Sequence, residues 1–360
     1  MNILAINSGS SSIKFGIFEV FTESRPEESS VNELFSQSLS DASPGAVFSK
    51  VKKHLTDSNL DEPTIIGHRL VHGGPKLRHH CVIDESVISE LQNSIPFAPL
   101  HLPESIALIR EAQVQFPFAV QVACFDTSFH SALPDVARVL PIAHAWQSED
   151  IHRYGFHGLS CESMLRQIRD RQVANFPKRL IVAHIGNGVS VTAIKDGESI
   201  DTSMGLTPSG GVIMGTRSGD VDPGLLIYLI REKKLDLAGL EQSINHESGL
   251  LGISGLSNDM RKLHEAAALT VHPSNANARL AIQMFCYSLR KQIAAMIGVL
   301  EGVDMIVFTG GIGENDEEVR LAVCEGLNWV NNSNTHFEIV VLPSQEEEQI
   351  ARIVFRLPNV

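Results

Sequence analysis

Four short segments place an arginine or a histidine inside a glycine- or proline-rich stretch, and a fifth places an aspartate just after an apolar run. They are GHRLVHGG (67–74) around Arg69, PFAPLHLPES (96–105) around His101, CFDTSFH (124–130) around Asp126, RYGFHG (153–158) around Phe156 and His157, and MGTRSGD (214–220) around Arg217. Taken singly, such residues are usually structural: a surface arginine, a hydrogen-bonded core histidine, a turn aspartate. Together, in the loops where binding and catalytic groups concentrate, they argue for a shared site. The spacing of His68 and His72 suggests a metal pair on a helix. Bordering glycines and the intervening Arg69 argue against both the helix and the cation.

The elements that must position these loops show in the apolar pattern. NSGSSS (7–12) lies between the apolar run Ile3 to Ile6 and a second run from Ile13 to Val20. Glycine-rich phosphate loops usually lead from a strand into a helix. Here the alternation in IKFGIFEV predicts a second strand, which makes the loop a hairpin tip lined with hydroxyls. RLIVAHIGNGVSVTAIKDGESI (179–200) repeats the unit as strand, Gly-Asn-Gly tip and strand, closed by an Asp-Gly turn at 196–197. A third glycine loop, GGIGEN (310–315), follows the apolar MIVFT, and the charged DEEVRLAVCEGL behind it reads as a helix. Asn277 to Leu300 has the 3.6-residue spacing of a long helix. Two hairpin cores with interleaved helices predict two related α/β domains with a cleft between them. The polar stretch from Thr22 to Pro63 is uninformative, and ESRPEESS within it reads as a solvated loop.

At 360 residues, 43% of them hydrophobic, the chain has material for two cores. Its net charge of −13 argues against nucleic acid or an anionic membrane as the main partner, although local basic spots could hold small anions. The five cysteines are scattered and form no CxxC pair, poor material for a disulfide framework or a zinc site, and a reducing cytoplasm fits best. No apolar stretch reaches the roughly 20 residues that span a bilayer, and the N-terminus has no basic signal region.

These motifs, with APLH (98–101), HIGNG (184–188), DTSMGLTP (201–208), DMR (259–261) and the tail LPSQEEEQIAR (342–352), resemble the acetate and propionate kinases. Their superfamily also contains actin, Hsp70 and the sugar kinases. The match keeps the family's order from residue 2 to residue 352. It implies two duplicated actin-like ATPase (ribonuclease H-like) domains, the first over 1–132 plus 346–360 and binding the acyl group, the second over 133–345 and binding nucleotide. It also implies Mg-dependent, reversible, in-line transfer of a phosphoryl group from ATP to acetate by a cytoplasmic homodimer.

Such a transfer brings two anions together, so catalysis is largely positioning and charge neutralisation, and guanidinium forks suit it. The resemblance assigns Arg69 to the carboxylate, Arg217 to the moving phosphoryl group and His157 to a hydrogen bond on its oxygens. An aliphatic carboxylate is already ionised at neutral pH, so Asp126 reads as an organiser of Mg²⁺ waters and arginines, not as a base. Val71, Leu100, Phe156 and Pro208 match the family's methyl pocket, and the bulk of Val71 resembles the acetate enzymes. On the nucleotide side stand Lys14 and the segments His184, Ile185, Gly186, Asn187, Gly188; Asp259, Met260, Arg261; and Gly311, Ile312, Gly313, Glu314, Asn315. Glycine lets the backbone at 186–188 approach phosphate closely. Asn7 and Glu346 match the Mg²⁺ positions, although EEE also reads as a charged helix start. Leu159 and Cys161 replace a threonine and a histidine of the family pattern, which removes polar groups expected beside His157, and Leu102 stands where asparagine is common. The chain is shorter than the family before Arg69 and between GGIGEN and Glu346. A propionate-preferring enzyme, a pyrophosphate donor, an inactive nucleotide-binding relative and an actin-like binding protein remain alternative readings.

Overall fold

The computed structural model describes residues 1–9, 12–21, 30–40, 43–99, 101–148, 150–171, 176–269, 273–330 and 337–357. Two mixed sheets organise it. The first contains β1 (Asn2–Ser8), β2 (Ser12–Phe21), β3 (Ser30–Ser40), β4 (Ile65–Leu70), β5 (Cys81–Val82) and β6 (Val120–Phe125), in the order β3-β2-β1-β4-β6-β5. The second contains β7 (Arg179–Ile185), β8 (Val189–Lys195), β9 (Glu198–Thr202), β10 (Met305–Thr309) and β11 (Glu338–Val341), in the order β11-β10-β7-β8-β9. In each sheet three antiparallel strands lead to parallel ones: β1 pairs antiparallel with β2 and parallel with β4, and β7 pairs antiparallel with β8 and parallel with β10. This duplicated order is the actin-like fold. The edge strand β5 is an addition to the first copy.

Both central strands are covered on both faces, which explains their unbroken apolar runs. On one face of the first sheet, Leu4, Ile6, Phe15 and Ile17 pack against Val47, Phe48 and Val51 of helix Pro44–Asp57 and Leu108 and Ala112 of helix Leu102–Gln115. On the other face, Ile3, Ala5 and Val122 meet Ile350, Ala351 and Val354 of helix Glu346–Arg356, so the tail returns to the sheet where the chain began. Helix Pro273–Leu300 covers the second sheet with Phe285, Leu289 and Ile293. Helix Gly158–Asp170 lies between the sheets: Leu159 belongs to the apolar cluster of the first, and Cys161, Met164 and Leu165 to a cluster of the second.

Two expectations need correction. GGIGEN is not a loop but the short helix Gly310–Asn315. Gly310 takes a φ of 79°, turning the chain directly out of β10, and the Glu314 Oε1 accepts the Gly310 N–H at 3.0 Å, closing the first turn. The stretch from Thr22 to Pro63 holds both β3 and helix Pro44–Asp57. As an edge strand β3 is largely exposed, and its polar residues dilute the alternation that marks a half-buried strand. Most of ESRPEESS, at 23–29, lies outside the described residues, as do Ser10 and Ser11 of the first tip. The Asp-Gly turn is as expected: Asp196 and Gly197 take φ values of 52° and 91° between β8 and β9.

Gly67 of β4 is where the tail helix seats. A Cβ there would collide with Ile350 and come within 2.9 Å of Val354 Cγ1. Gly67→Ala is therefore expected to lift the helix and cost about 1–3 kcal/mol as an overpacking substitution. Denaturant unfolding checks the cost, and faster amide exchange in 346–356 checks its location. Unchanged exchange there would show that the helix is not seated by this contact.

Candidate functional site

A cavity of about 1070 Å³ lies between the two sheets. Its walls come from the strand ends and the loops that follow them, the positions singled out by the sequence. Arg69 is near the end of β4, and Asp126 directly follows β6, its neighbour in the sheet. The Arg69 Nη2 and Nε donate to Asp126, with Nη2 to Oδ2 at 2.6 Å, in a bidentate pair. Arg69 Nη1 donates to Asn7 Oδ1 at 2.8 Å, and Asn7 Nδ2 in turn donates to Glu346 Oε2 and Glu347 Oε1, each at 2.8 Å. One continuous chain of hydrogen bonds thus joins β6, β4, β1 and the tail helix.

Three carboxylates here share one guanidinium. Burial works against the charge on Arg69, but Asp126, Glu346 and Glu347 outweigh it and hold its pKa above the ordinary value. Burial pushes Asp126 up against the pull of Arg69. Burial opposes ionisation of Glu346 too, yet Arg69, the Asn7 hydrogen bond and Lys14 hold its carboxyl below the usual range. The Glu346 Oε1 is buried and has no hydrogen-bond partner among the described residues. An orphaned anionic oxygen beside an excess of carboxylates is the environment that a hard divalent cation relieves. Glu347 was missed from sequence; only its place in a run of glutamates at a helix start pointed to it.

Facing this cluster, His157 and His184 stack with ring centroids 4.1 Å apart. His157 is the N-cap of helix Gly158–Asp170, with a φ of 59°. Its expected polar neighbours are replaced by Leu159 and Cys161, both buried in apolar clusters, and its hydrogen bond comes instead from β8, where Ser190 Oγ lies 3.0 Å from Nδ1. Burial first, then His184, Arg69 and Arg217, pushes its pKa well below the ordinary histidine value, so the ring is neutral at pH 7. The Gly-Asn-Gly tip meets the same ring: a Cβ on Gly188 would lie 3.2 Å from His157 Nε2 and 3.4 Å from Arg217 Nη1. Arg217 donates to the Pro208 carbonyl at 3.1 Å and has no carboxylate partner among the described residues. Burial and then Arg69 lower its pKa. It is a partly desolvated cation facing the cavity.

Val71, Phe156 and Pro208 line the wall beside these groups, as does His101, whose pKa burial and the two arginines push down to about 4. Leu100 lies outside the described residues. Lys14, His184, Gly186, Asn187, Gly188, Asp259, Met260, Arg261, Gly311, Ile312 and Asn315 share the wall with Val71, Phe156, Pro208 and His101. Asp259 caps helix Met260–Ala268 and pairs with Arg261 at 2.7 Å. Three expected residues are not on the wall. Ile185 is in the core, Gly313 is buried, and Glu314 turns inward to accept the N–H groups of Gly310 and Ser344, each at 3.0 Å. His264, which the sequence did not single out, is on the wall, bonded to Asp316 at 2.9 Å. No helix among the described residues is long and apolar enough to cross a membrane.

The Acetokinase family model matches residues 38–332. A curated acetate kinase of Chloroherpeton thalassium is 37% identical over 99% of this chain and 99% of its own length. Among solved structures, a propionate kinase from Francisella tularensis superposes with a TM-score of 0.84 at 33% identity, covering 98% of each chain. The acetate kinase of Porphyromonas gingivalis superposes with a TM-score of 0.81 at 32% identity, over 97% of this chain and 98% of that one. By both sequence and architecture, the chain belongs to the acetokinase family.

Proposed function

We propose that the chain is an acetate kinase, transferring the γ-phosphoryl group of ATP to acetate and giving acetyl phosphate and ADP. The family and its acetate kinase relatives support the activity. The observation that carries the residue roles is one cavity lined by Arg69, uncompensated Arg217, neutral His157 and the Gly188 tip.

Acetate is anionic at neutral pH, so no proton is removed before attack. One carboxylate oxygen bonds to the γ-phosphorus as the bond to the bridging oxygen breaks, and that electron pair leaves with ADP. Arg69 keeps N–H groups beyond those given to Asp126 and Asn7, and these take the acetate carboxylate. Asp126 is the anchor that orients Arg69. Val71, Phe156 and Pro208, with Leu100 proposed beside them, enclose the methyl group. Charge developing on the phosphoryl oxygens is met by Arg217, by His157 Nε2 and by the backbone at Gly186, Asn187 and Gly188; in a dry site such donors act with little reorganisation. Lys14, His184 and the segments 259–261 and 311–315 hold the nucleotide, Ile185, Gly313 and Glu314 acting through the backbone they support. Asn7, Glu346 and Glu347 fit Mg²⁺, which neutralises phosphate charge when bound.

The domains are proposed as 1–132 plus 346–360 and 133–345, with the acyl group on the first and nucleotide on the second. A homodimer is supported by helix Pro223–Glu232, which has no buried residue and exposes Leu225, Ile227, Tyr228 and Ile230 next to exposed Leu237. Five free cysteines support a cytoplasmic location.

Hydroxamate trapping with ATP, GTP or pyrophosphate against acetate, propionate and butyrate tests the assignment. Acetyl hydroxamate from ATP and acetate is expected, and folded protein that makes none in either direction overturns it. Val71→Ala should raise the propionate-to-acetate ratio of kcat/KM by about 10- to 200-fold, the range for a methylene-sized change. An unchanged ratio would place the acyl group elsewhere. Glu346→Gln should raise the free Mg²⁺ needed for half-maximal activity by about 10-fold or more, with Glu347→Gln a smaller effect and the acetate KM little moved. Mg²⁺ titrations that superimpose on the wild type would remove both glutamates from the cation's surroundings.

A further inference from the structure

The stacked imidazoles are held alike, each by a serine on Nδ1. Ser190 Oγ lies 3.0 Å from His157 Nδ1, and Ser160 Oγ lies 2.9 Å from His184 Nδ1. Both serines are buried, and for neither hydroxyl does another hydrogen bond occur among the described residues. A buried hydroxyl proton without an acceptor is costly. If Nδ1 carried the hydrogen and donated to the serine, the serine's own proton would have nowhere to go. If the serine donates to Nδ1, every group at that end is satisfied and the ring hydrogen sits on Nε2.

His130 shows the same arrangement with its tautomer set independently. Its Nε2 lies 3.0 Å from the Phe156 carbonyl, which only accepts, so Nε2 carries the hydrogen and Ser199 Oγ, 2.8 Å from Nδ1, is the donor there. The two cavity rings differ in where Nε2 points. A Cβ on Gly188 would lie 3.2 Å from His157 Nε2, and one on Gly186 would lie 3.7 Å from His184 Nε2. The two nitrogens therefore stand at either end of the Gly-Asn-Gly tip.

We propose that Ser190 and Ser160 are positioning residues that hold His157 and His184 as Nε2–H tautomers, so that two neutral donors bracket the tip of the β7–β8 hairpin. Resting on the phosphoryl-transfer reading, this adds what decides the direction of those hydrogen bonds: the opposite tautomer would turn a lone pair toward a phosphoryl oxygen and convert attraction into repulsion. The serines touch no substrate. They act through the rings, and they do so in a chain whose Leu159 and Cys161 supply no polar alternative.

The test is long-range ¹⁵N–¹H correlation on protein labelled at histidine, with the signals of the two rings assigned by their loss in His157→Gln and His184→Gln, combined with steady-state kinetics. Wild-type protein should show Nε2–H at both rings. Ser190→Ala should shift His157 toward Nδ1–H and lower kcat by about 10- to 100-fold, with the KM for acetate and for ATP within about threefold of wild type. Ser190→Thr, which keeps the hydroxyl, should restore both the signal and the rate. Nδ1–H in the wild type overturns the proposal, and so does a Ser190→Ala protein that keeps the wild-type tautomer, whether its rate is unchanged or reduced, since a reduced rate would then come from packing alone. Absence of any turnover in the wild type would end the kinase reading while leaving the tautomers measurable.

Discussion

The contact between Arg69 and Asn7 joins two systems that would otherwise be separate. On one side Arg69 is locked to Asp126 across adjacent parallel strands; on the other Asn7 binds the two leading glutamates of the tail helix, 339 and 340 positions away. A guanidinium in this buried place is tolerable only because carboxylates surround it, and the carboxylates only because the guanidinium is there. The cost of that mutual dependence is met by packing elsewhere. Ile350, Ala351 and Val354 press the tail helix onto the first sheet, so the apolar face of that helix is what brings Glu346 to the cavity.

The same economy governs the other wall. β7 and β8 are buried along nearly their whole length, which makes the Gly186–Gly188 tip a projection from a rigid base. Around it lie a neutral imidazole, an arginine with no described carboxylate partner and backbone N–H groups. None of them needs to change protonation for charge to be met as it moves. This arrangement suits a reaction that transfers a phosphoryl group to a nucleophile already ionised in solution.

Much of this was legible in the residues, and the reason is local. Hairpin tips, the Asp-Gly turn and the arginine and histidine loops are short-range patterns, and each leaves its signature within about ten residues. What escaped was of two kinds. Strand β3 and helix Pro44–Asp57 escaped because an exposed edge strand buries too little to show alternation, and because four apolar residues of the helix, Val47, Phe48, Val51 and Leu55, stand in a polar stretch. Glu347, Ser190 and Ser160 escaped because their meaning lies in a partner on another element. Ser190 is one more small residue in a strand until His157 is seen against it. GGIGEN was misjudged through its glycines, which here serve a sharp strand-to-helix turn at Gly310.

Helix Gly158–Asp170 carries a mechanical implication. Its apolar side chains are shared between the cores of both sheets, and its N-cap is His157, held at a φ of 59°. It is thus an axle common to both halves. Were the halves to turn relative to each other, the angle would be taken up around this helix, and the imidazole at its end would sit close to the pivot, where a given rotation produces the least displacement. Parts of the cavity wall that lie farther from the axle would sweep the larger arcs. The cleft could then open widely for exchange of a large ligand while the histidine end stays almost in register.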